Sequence, residues 1–434
     1  MLGVPIPPPG PKFAFLAAEL LDNIFANLGP DDISNVRLAC KPFANACVKY
    51  TSKMCVVSCT NDGLEKLEHL SNHPLFSQHI QSLALDCSVF WTLSPGKPNQ
   101  RWDYVAEPDP RPFPWCEPYK ALWQQQRDIR DGKKDAEIIS KAIPRLQHLK
   151  NIHIYMDSFR RCGRLIRETY DSAFELFSFA HDKPVSCSVN QYLMVMRPLR
   201  DAGIKIESLE LRDVSYSIFY PQDEIVDGME KNFQHLTSLY IRVQAHPDKP
   251  MSEMRPTPEL GEVLSMGVMA RYLEAAAGLR SLTLASKDDH GNRIMAVDYA
   301  FSPNFTWEHL HTLELDNVWI REEVLNGLAA RHSNTLRSLT LHNIVIRGSW
   351  FTSLPTIRDV TSLEKATVYG WLSNPAGEYP RREYWRLGVY PDREHDTPWG
   401  DDEKQHKLGL QVGSYLCKVP TVPRLPLAYS NMTR

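Results

Sequence analysis

The sequence predicts an α/β protein in which a short unit of three helices is followed by a long α/β solenoid. Three observations lead there. Apolar residues near the N-terminus follow helical spacing in three short segments. A phrase of one apolar residue, two variable, one apolar, one variable and one apolar then returns eight times. The segments before its later copies read as amphipathic helices. At 434 residues, 43% of them hydrophobic, the chain is too long for one compact domain and able to bury a large core.

Residues 1–12 are Pro-rich and lack the continuous apolar stretch of a signal peptide, so they are expected to be disordered. Residues 13–50 carry the three helices. In LAAELLDNIFANLG, Leu20, Leu21, Ile24, Phe25 and Leu28 form one helical stripe that Gly29 and Pro30 bring to a stop. Asp31 is expected to cap the second helix, with Ile33, Val36 and Leu38 on it, ending before Pro42. Pro42 then opens a third helix bearing Phe43, Ala44, Cys47 and Val48. Helices this short make no stable core alone, so their apolar residues must meet another surface, in the chain or on a partner.

The residues themselves choose between those surfaces. LAAELLDNIFANLGPDDISNVRLACKPFANA resembles an F-box of the kind found in fungal F-box proteins. The matching features are Leu16, Glu19-Leu20-Leu21, Ile24-Phe25, Leu28, Asp31-Asp32-Ile33, Val36-Arg37-Leu38, Cys40-Lys41 and Phe43, while Ala17 stands where the family has proline. The resemblance implies docking onto a Skp-family adaptor, and through it indirectly onto a cullin scaffold. Leu16, Leu20, Ile24, Phe25, Val36, Leu38 and Phe43 are the candidate anchors, by helix-to-groove recognition. Some of them must instead hold the three helices together.

The repeated phrase starts at Ile80, Leu149, Ile206, Leu236, Leu279, Leu310, Leu336 and, degenerately, Leu363. The later starts lie roughly 26 to 31 residues apart, which suits one strand and one helix per repeat, as in leucine-rich-repeat solenoids. MARYLEAAAG and EEVLNGLAARH are the expected helices before Leu279 and Leu336; Met54–Ser58 and a helix begun by Asn61-Asp62-Gly63 open the array. The ordinary repeat has asparagine three residues after its last leucine, whereas Val214, Val318 and Ile344 stand there, which marks a divergent class. The solenoid is expected over 51–372, with insertions at about 92–118 and 246–258. Residues 373–434, including Trp385 and Trp399, form an irregular cap or tail.

If the apolar residues of each phrase face the core, the residues between them line the opposite, concave strand face. That places Glu210, Arg212, Tyr240, Arg242, Glu314, Asp316, His342 and Tyr369 on one curved surface suited to a protein or peptide substrate. Two arginines alone do not build a phosphate pocket.

Composition excludes other classes. Lys and Arg number 49 against 52 Asp and Glu, a net charge of −3, so neither nucleic acid nor an anionic membrane is an expected partner. Mean hydropathy is −0.36 and no apolar run spans a bilayer. Nine cysteines without a framework spacing point to reduced thiols and an intracellular setting, cytoplasm or nucleus. No phosphate-binding loop, dinucleotide fingerprint, nucleophile elbow or zinc-ligand pattern occurs, so no catalytic residue, metal or cofactor is expected. The F-box resemblance then implies a non-catalytic adaptor of an SCF-type ubiquitin ligase. A Skp-binding protein acting outside ligases and a plain repeat scaffold are the alternatives.

Overall fold

The computed structural model describes residues 16–51, 53–88, 116–156, 185–221, 228–244, 258–287, 295–374, 383–387 and 402–427. Three helices open the chain: α1 (Ala18–Ala26), α2 (Pro30–Ala39) and α3 (Lys41–Thr51). Their starts differ from the sequence expectation. Gly29, not Asp31, is the N-cap of α2, and Pro30 takes its first turn, where a missing N–H costs nothing. Likewise α3 starts at Lys41, one residue ahead of Pro42. The bundle has a small core of its own: Leu21, Phe25, Ile33 and Cys47, flanked by Leu16, Val36 and Phe43. Phe25 meets the rings of Phe43 and Tyr50 edge-on at 5.7 and 6.1 Å. Tyr50 also donates its hydroxyl to the Asp22 carbonyl at 2.9 Å, tying α3 to α1.

Behind the bundle every repeat phrase becomes a strand. These are β2 (Ser82–Asp86), β3 (Asn151–Tyr155), β4 (Ser208–Ser215), β5 (Ser238–Gln244), β6 (Ser281–Lys287), β8 (Thr312–Asp316), β10 (Ser338–Arg347) and β11 (Lys365–Ser373). They follow β1 (Met54–Ser58) side by side in one large, mostly parallel open sheet. Two short strands, β7 (Met295–Ala296) and β9 (Val318–Arg321), pair beside the far half of β10. The result is a mixed α/β architecture in which the chain advances one strand at a time, as an α/β solenoid does.

The apolar positions of the phrases explain that order. Leu209, Leu211, Leu239, Ile241, Leu282, Leu284, Leu313 and Leu315 are each at most 2% exposed and belong to one continuous core. Between strands, the helices Val185–Ala202, Val268–Ala275, Glu322–Arg331 and Trp350–Val360 contribute Tyr192, Leu273, Leu328 and Leu354 to it. A parallel strand must be reached by a right-handed crossover, and here each crossover moves in the same direction along the sheet. The four helices just named therefore lie on the face that the phrase leucines share, and the residues between those leucines take the other face of the strands. One backbone device repeats along the array: a carbonyl just before a strand receives two N–H groups from the next repeat. Glu207 takes Thr237 and Ser238, Thr237 takes Arg280 and Ser281, and Arg280 takes His311 and Thr312.

At the far end β12 (Tyr384–Arg386) adds antiparallel to β11, and the indole of Trp385 is fully buried. The helix Asp402–Leu416 covers the remaining edge of β11. A side chain at Gly409 or Gly413 would sit 2.5 Å from the Val368 carbonyl or 2.3 Å from that of Ala366. Two glycines one turn apart thus let a helix close a strand edge that is otherwise open to pairing. The insertion expected at 92–118 falls outside the described residues as far as 115, and the helix Cys116–Asp131 already contains its last three positions. The insertion at 246–258 and Trp399 also lie outside the described residues, except that Pro258 starts a helix. No helix among the described residues is long and apolar enough to cross a membrane.

Candidate functional site

Parallel pairing in register carries the variable residues of the phrases into two straight rows across the face opposite the leucines. One row runs His153, Glu210, Tyr240, Thr283, Glu314, Thr340. The next runs Tyr155, Arg212, Arg242, Ala285, Asp316, His342, Tyr369. All eight residues expected on the strand face fall in these rows. His153 and Tyr155, which sequence reasoning passed over, complete the near end; their signal was the same place within the phrase LKNIHI and just after it.

The near end is a compact polar group. Glu210 receives the His153 ring at one carboxylate oxygen and Nε of Arg212 at the other, and Tyr155 donates to it at 3.3 Å. Arg212 lies over the ring of Tyr240 at 4.8 Å and near that of Tyr155 at 5.8 Å, two cation–π contacts. Burial works to raise the Glu210 pKa, yet the His153 hydrogen bond and the Arg212 charge outweigh it and bring it down to about 2. Burial likewise raises the Tyr240 hydroxyl. Arg242 is gripped by Asp213, which holds its pKa above the ordinary value against the opposing effect of burial.

The far end is closed. Asp316, His342 and Tyr369 are 4%, 6% and 5% exposed, so three of the eight expected surface residues do not offer an open face. The reason is that they cover one another: His342 Nδ1 meets Asp316 at 2.5 Å and its ring stacks on Tyr369 at 4.1 Å. Glu314 stays half-buried beside Thr283, whose hydroxyl donates to it at 3.4 Å. The accessible part of the face is therefore centred on Glu210, Arg212, Tyr240 and Arg242, with His153, while Tyr155 is buried beneath them at 3% exposure.

Sequence reasoning also missed the turn at the end of several strands. Asp213, Asn317 and Asn343 have φ of 59°, 58° and 50°, and Gly370 has 72°, all at the same phase of their repeats. Asp and Asn tolerate this left-handed geometry because a short polar side chain can bond nearby. Asn317 donates to the Ser286 carbonyl at 3.3 Å, and Asn343 Oδ1 accepts from Trp371 N–H at 3.0 Å. The register breaks there, and the next residues, Val214, Val318 and Ile344, drop into the core at 0% exposure. The visible signal was an Asp, Asn or Gly two places after the last apolar residue of a phrase.

The seven candidate anchors of the helical bundle divide into two sets. Phe25 is 3% exposed in the bundle core, and Leu16, Val36 and Phe43 pack against it. Leu20, Ile24 and Leu38 stand in water at 51%, 44% and 86% exposure. Arg37 lies over the ring of Phe76 at 5.7 Å, which ties α2 to the repeat array.

No protein-family model and no curated protein matches this chain. Among solved structures it is similar to the leucine-rich repeat-containing protein LegL7 from Legionella pneumophila. The identity is 10% and the TM-score 0.25, over 85% of this chain and 99% of that one.

Proposed function

We propose that this chain is a non-catalytic F-box adaptor of an SCF-type cullin ubiquitin ligase, with a divergent leucine-rich-repeat domain that receives a protein substrate. The observation that carries the reading is the division within the bundle. Its helices have a core of their own, and yet Leu20, Ile24 and Leu38 remain exposed. Leu20 and Ile24 are one turn apart on α1, the spacing with which an apolar helix face enters a groove. Aliphatic side chains left in water on a structured helical unit suit a partner surface. The substrate face is the open half of the strand rows around Arg212 and Tyr240. Because the sheet is continuous from β1 onward, it is a stiff mount for holding cargo in a set direction relative to the docked adaptor.

Binding of the full chain to a purified Skp-family protein, alone and with a cullin, tests this. Leu20→Asp with Ile24→Asp is expected to abolish capture without moving the thermal midpoint, whereas Phe25→Ala lowers that midpoint. Capture that survives the double substitution overturns the docking assignment. Capture of the Skp-family protein without the cullin overturns the ligase role.

A further inference from the structure

The first two strands of the sheet bring a pair of thiols together. β1 and β2 run parallel and in register as far as Ser58 and Asp86, and the next residue on each is a cysteine. Cys59 lies two residues beyond Val57 and Cys87 two beyond Leu85, so both turn to the core face that those residues occupy. Their sulfurs are 3.9 Å apart. The Cys59 N–H donates to the Asp86 carbonyl at 3.2 Å, so the strands still hold each other at this step. Neighbouring strands run about 4.8 Å apart, inside the Cα range that a disulfide spans. Rotation of the two side chains is therefore enough to bring the sulfurs to bonding distance.

Two further features separate this pair from an ordinary buried thiol. Cys55, on the same face of β1, stands opposite Leu83 rather than a second cysteine. The two paired thiols are also unequal. Cys59 is 7% exposed and Cys87 0%, and contact with Cys59 together with burial pushes the Cys87 thiol well above its ordinary value. Cys87 is therefore held protonated, and the first attack on an oxidant falls to Cys59. β1 is the terminal strand of the sheet, where local opening costs least, and this gives a small oxidant its way in.

We propose that Cys59 and Cys87 form a reversible disulfide when the chain meets hydrogen peroxide, and that the bond staples β1 to β2. The Cys59 sulfur attacks one peroxide oxygen, the O–O bond breaks, and the other oxygen leaves as water with the thiol proton. Cys59 is then a sulfenic acid. The Cys87 sulfur attacks the Cys59 sulfur, and the hydroxyl leaves as water with the Cys87 proton. Two thiols are oxidised and one peroxide is reduced to two waters. Exchange with a small thiol reverses the bond. The consequence is mechanical. α3 ends at Thr51 and β1 begins at Met54, so this strand carries the bundle, and tying it to β2 fixes the bundle's mount on the array. The site is independent of Skp docking and stands or falls without it.

The test uses the full chain, reduced, freed of reductant and treated with hydrogen peroxide. Remaining thiols are blocked with N-ethylmaleimide, and the chain is digested without reductant for mass spectrometry. The expected product is a pair of peptides joined through Cys59 and Cys87 and separated again by dithiothreitol. The oxidised chain is expected to melt about 2–4 °C above the reduced one. Cys59→Ala and Cys87→Ala are each expected to remove that difference, whereas Cys55→Ala retains it. Each variant is compared with its own reduced form, so any stability lost by the substitution itself does not enter. Recovery of Cys59 and Cys87 as maleimide adducts after peroxide, or a bond from either to another cysteine, overturns the site. A Cys59–Cys87 bond with no rise in midpoint overturns the staple.

Discussion

Arg242 on β5 holds Asp213 on β4 through two parallel bonds, Nε to Oδ1 at 2.7 Å and Nη2 to Oδ2 at 2.8 Å. Asp213 is 2% exposed and sits at φ 59°, so the ion pair spans two repeats at the point where the backbone enters the left-handed region. The pair therefore locks the strand rows to the turn that ends them.

Asp213→Ala removes the carboxylate, leaves a largely buried guanidinium without its main partner, and puts a non-polar residue at positive φ. The expected loss is about 3–5 kcal/mol. Asp213→Asn keeps tolerance of the backbone and is expected to fall between the two. Urea midpoints of the three proteins check the ranking; equal midpoints would show that the pair contributes nothing.

Gly370 has φ 72°, and a Cβ there would come within 2.2 Å of Asn343 Oδ1 and 2.7 Å of His342 Cδ2. Gly370→Ala thus meets a neighbour as well as a backbone cost of about 1–2 kcal/mol. Adding Asn343→Ala removes the Oδ1 clash and leaves both the His342 contact and the backbone cost. A double-mutant cycle on thermal midpoints is expected to show a coupled pair, with part of the loss recovered.

The lowered pKa of Glu210, about 2 against an ordinary 4.5, makes stability depend on pH with a definite sign. A depressed carboxylate contributes fully above its unfolded value, and its contribution is lost as pH falls from 4.5 toward 2. Glu210→Gln removes that dependence, so the gap between the two proteins should narrow across this window. Stability curves from pH 7 to 2 measure it, and a constant gap contradicts the assignment.

Ala17 is the N-cap of α1 at φ −55° and ψ 145°, and is exposed. Proline fixes φ near −65° and is welcome at a helix start. Ala17→Pro is expected to stabilise the bundle by about 0.4–1 kcal/mol and to tighten capture of a Skp-family protein. Calorimetric binding with and without the substitution checks this.

Much of this fold was legible because the phrase combines two periods. Leucines at alternate positions read as strand, and their return after a helix-length segment reads as a repeat, so all eight phrases were found as strands. Helix starts were less legible. Asp31 and Gly29 are both acceptable caps, and the difference of two residues depends on which turn Pro30 occupies. The surface was legible as a set of positions and not as an accessible site. Asp316, His342 and Tyr369 have the same place in their phrases as Arg212, but they close over one another across three strands.

The amino-acid sequence alone determined that apolar residues recur at strand spacing, that helices alternate with those strands, and that a segment of three short helices precedes them. These are local matters, set by side-chain periodicity within one element. Only the tertiary structure decided that Phe25 faces inward while Leu20, Ile24 and Leu38 face water, and that Asp316, His342 and Tyr369 close over one another. Burial and hydrogen-bond satisfaction depend on what another element brings to the same place, and residue spacing within one segment carries no record of that.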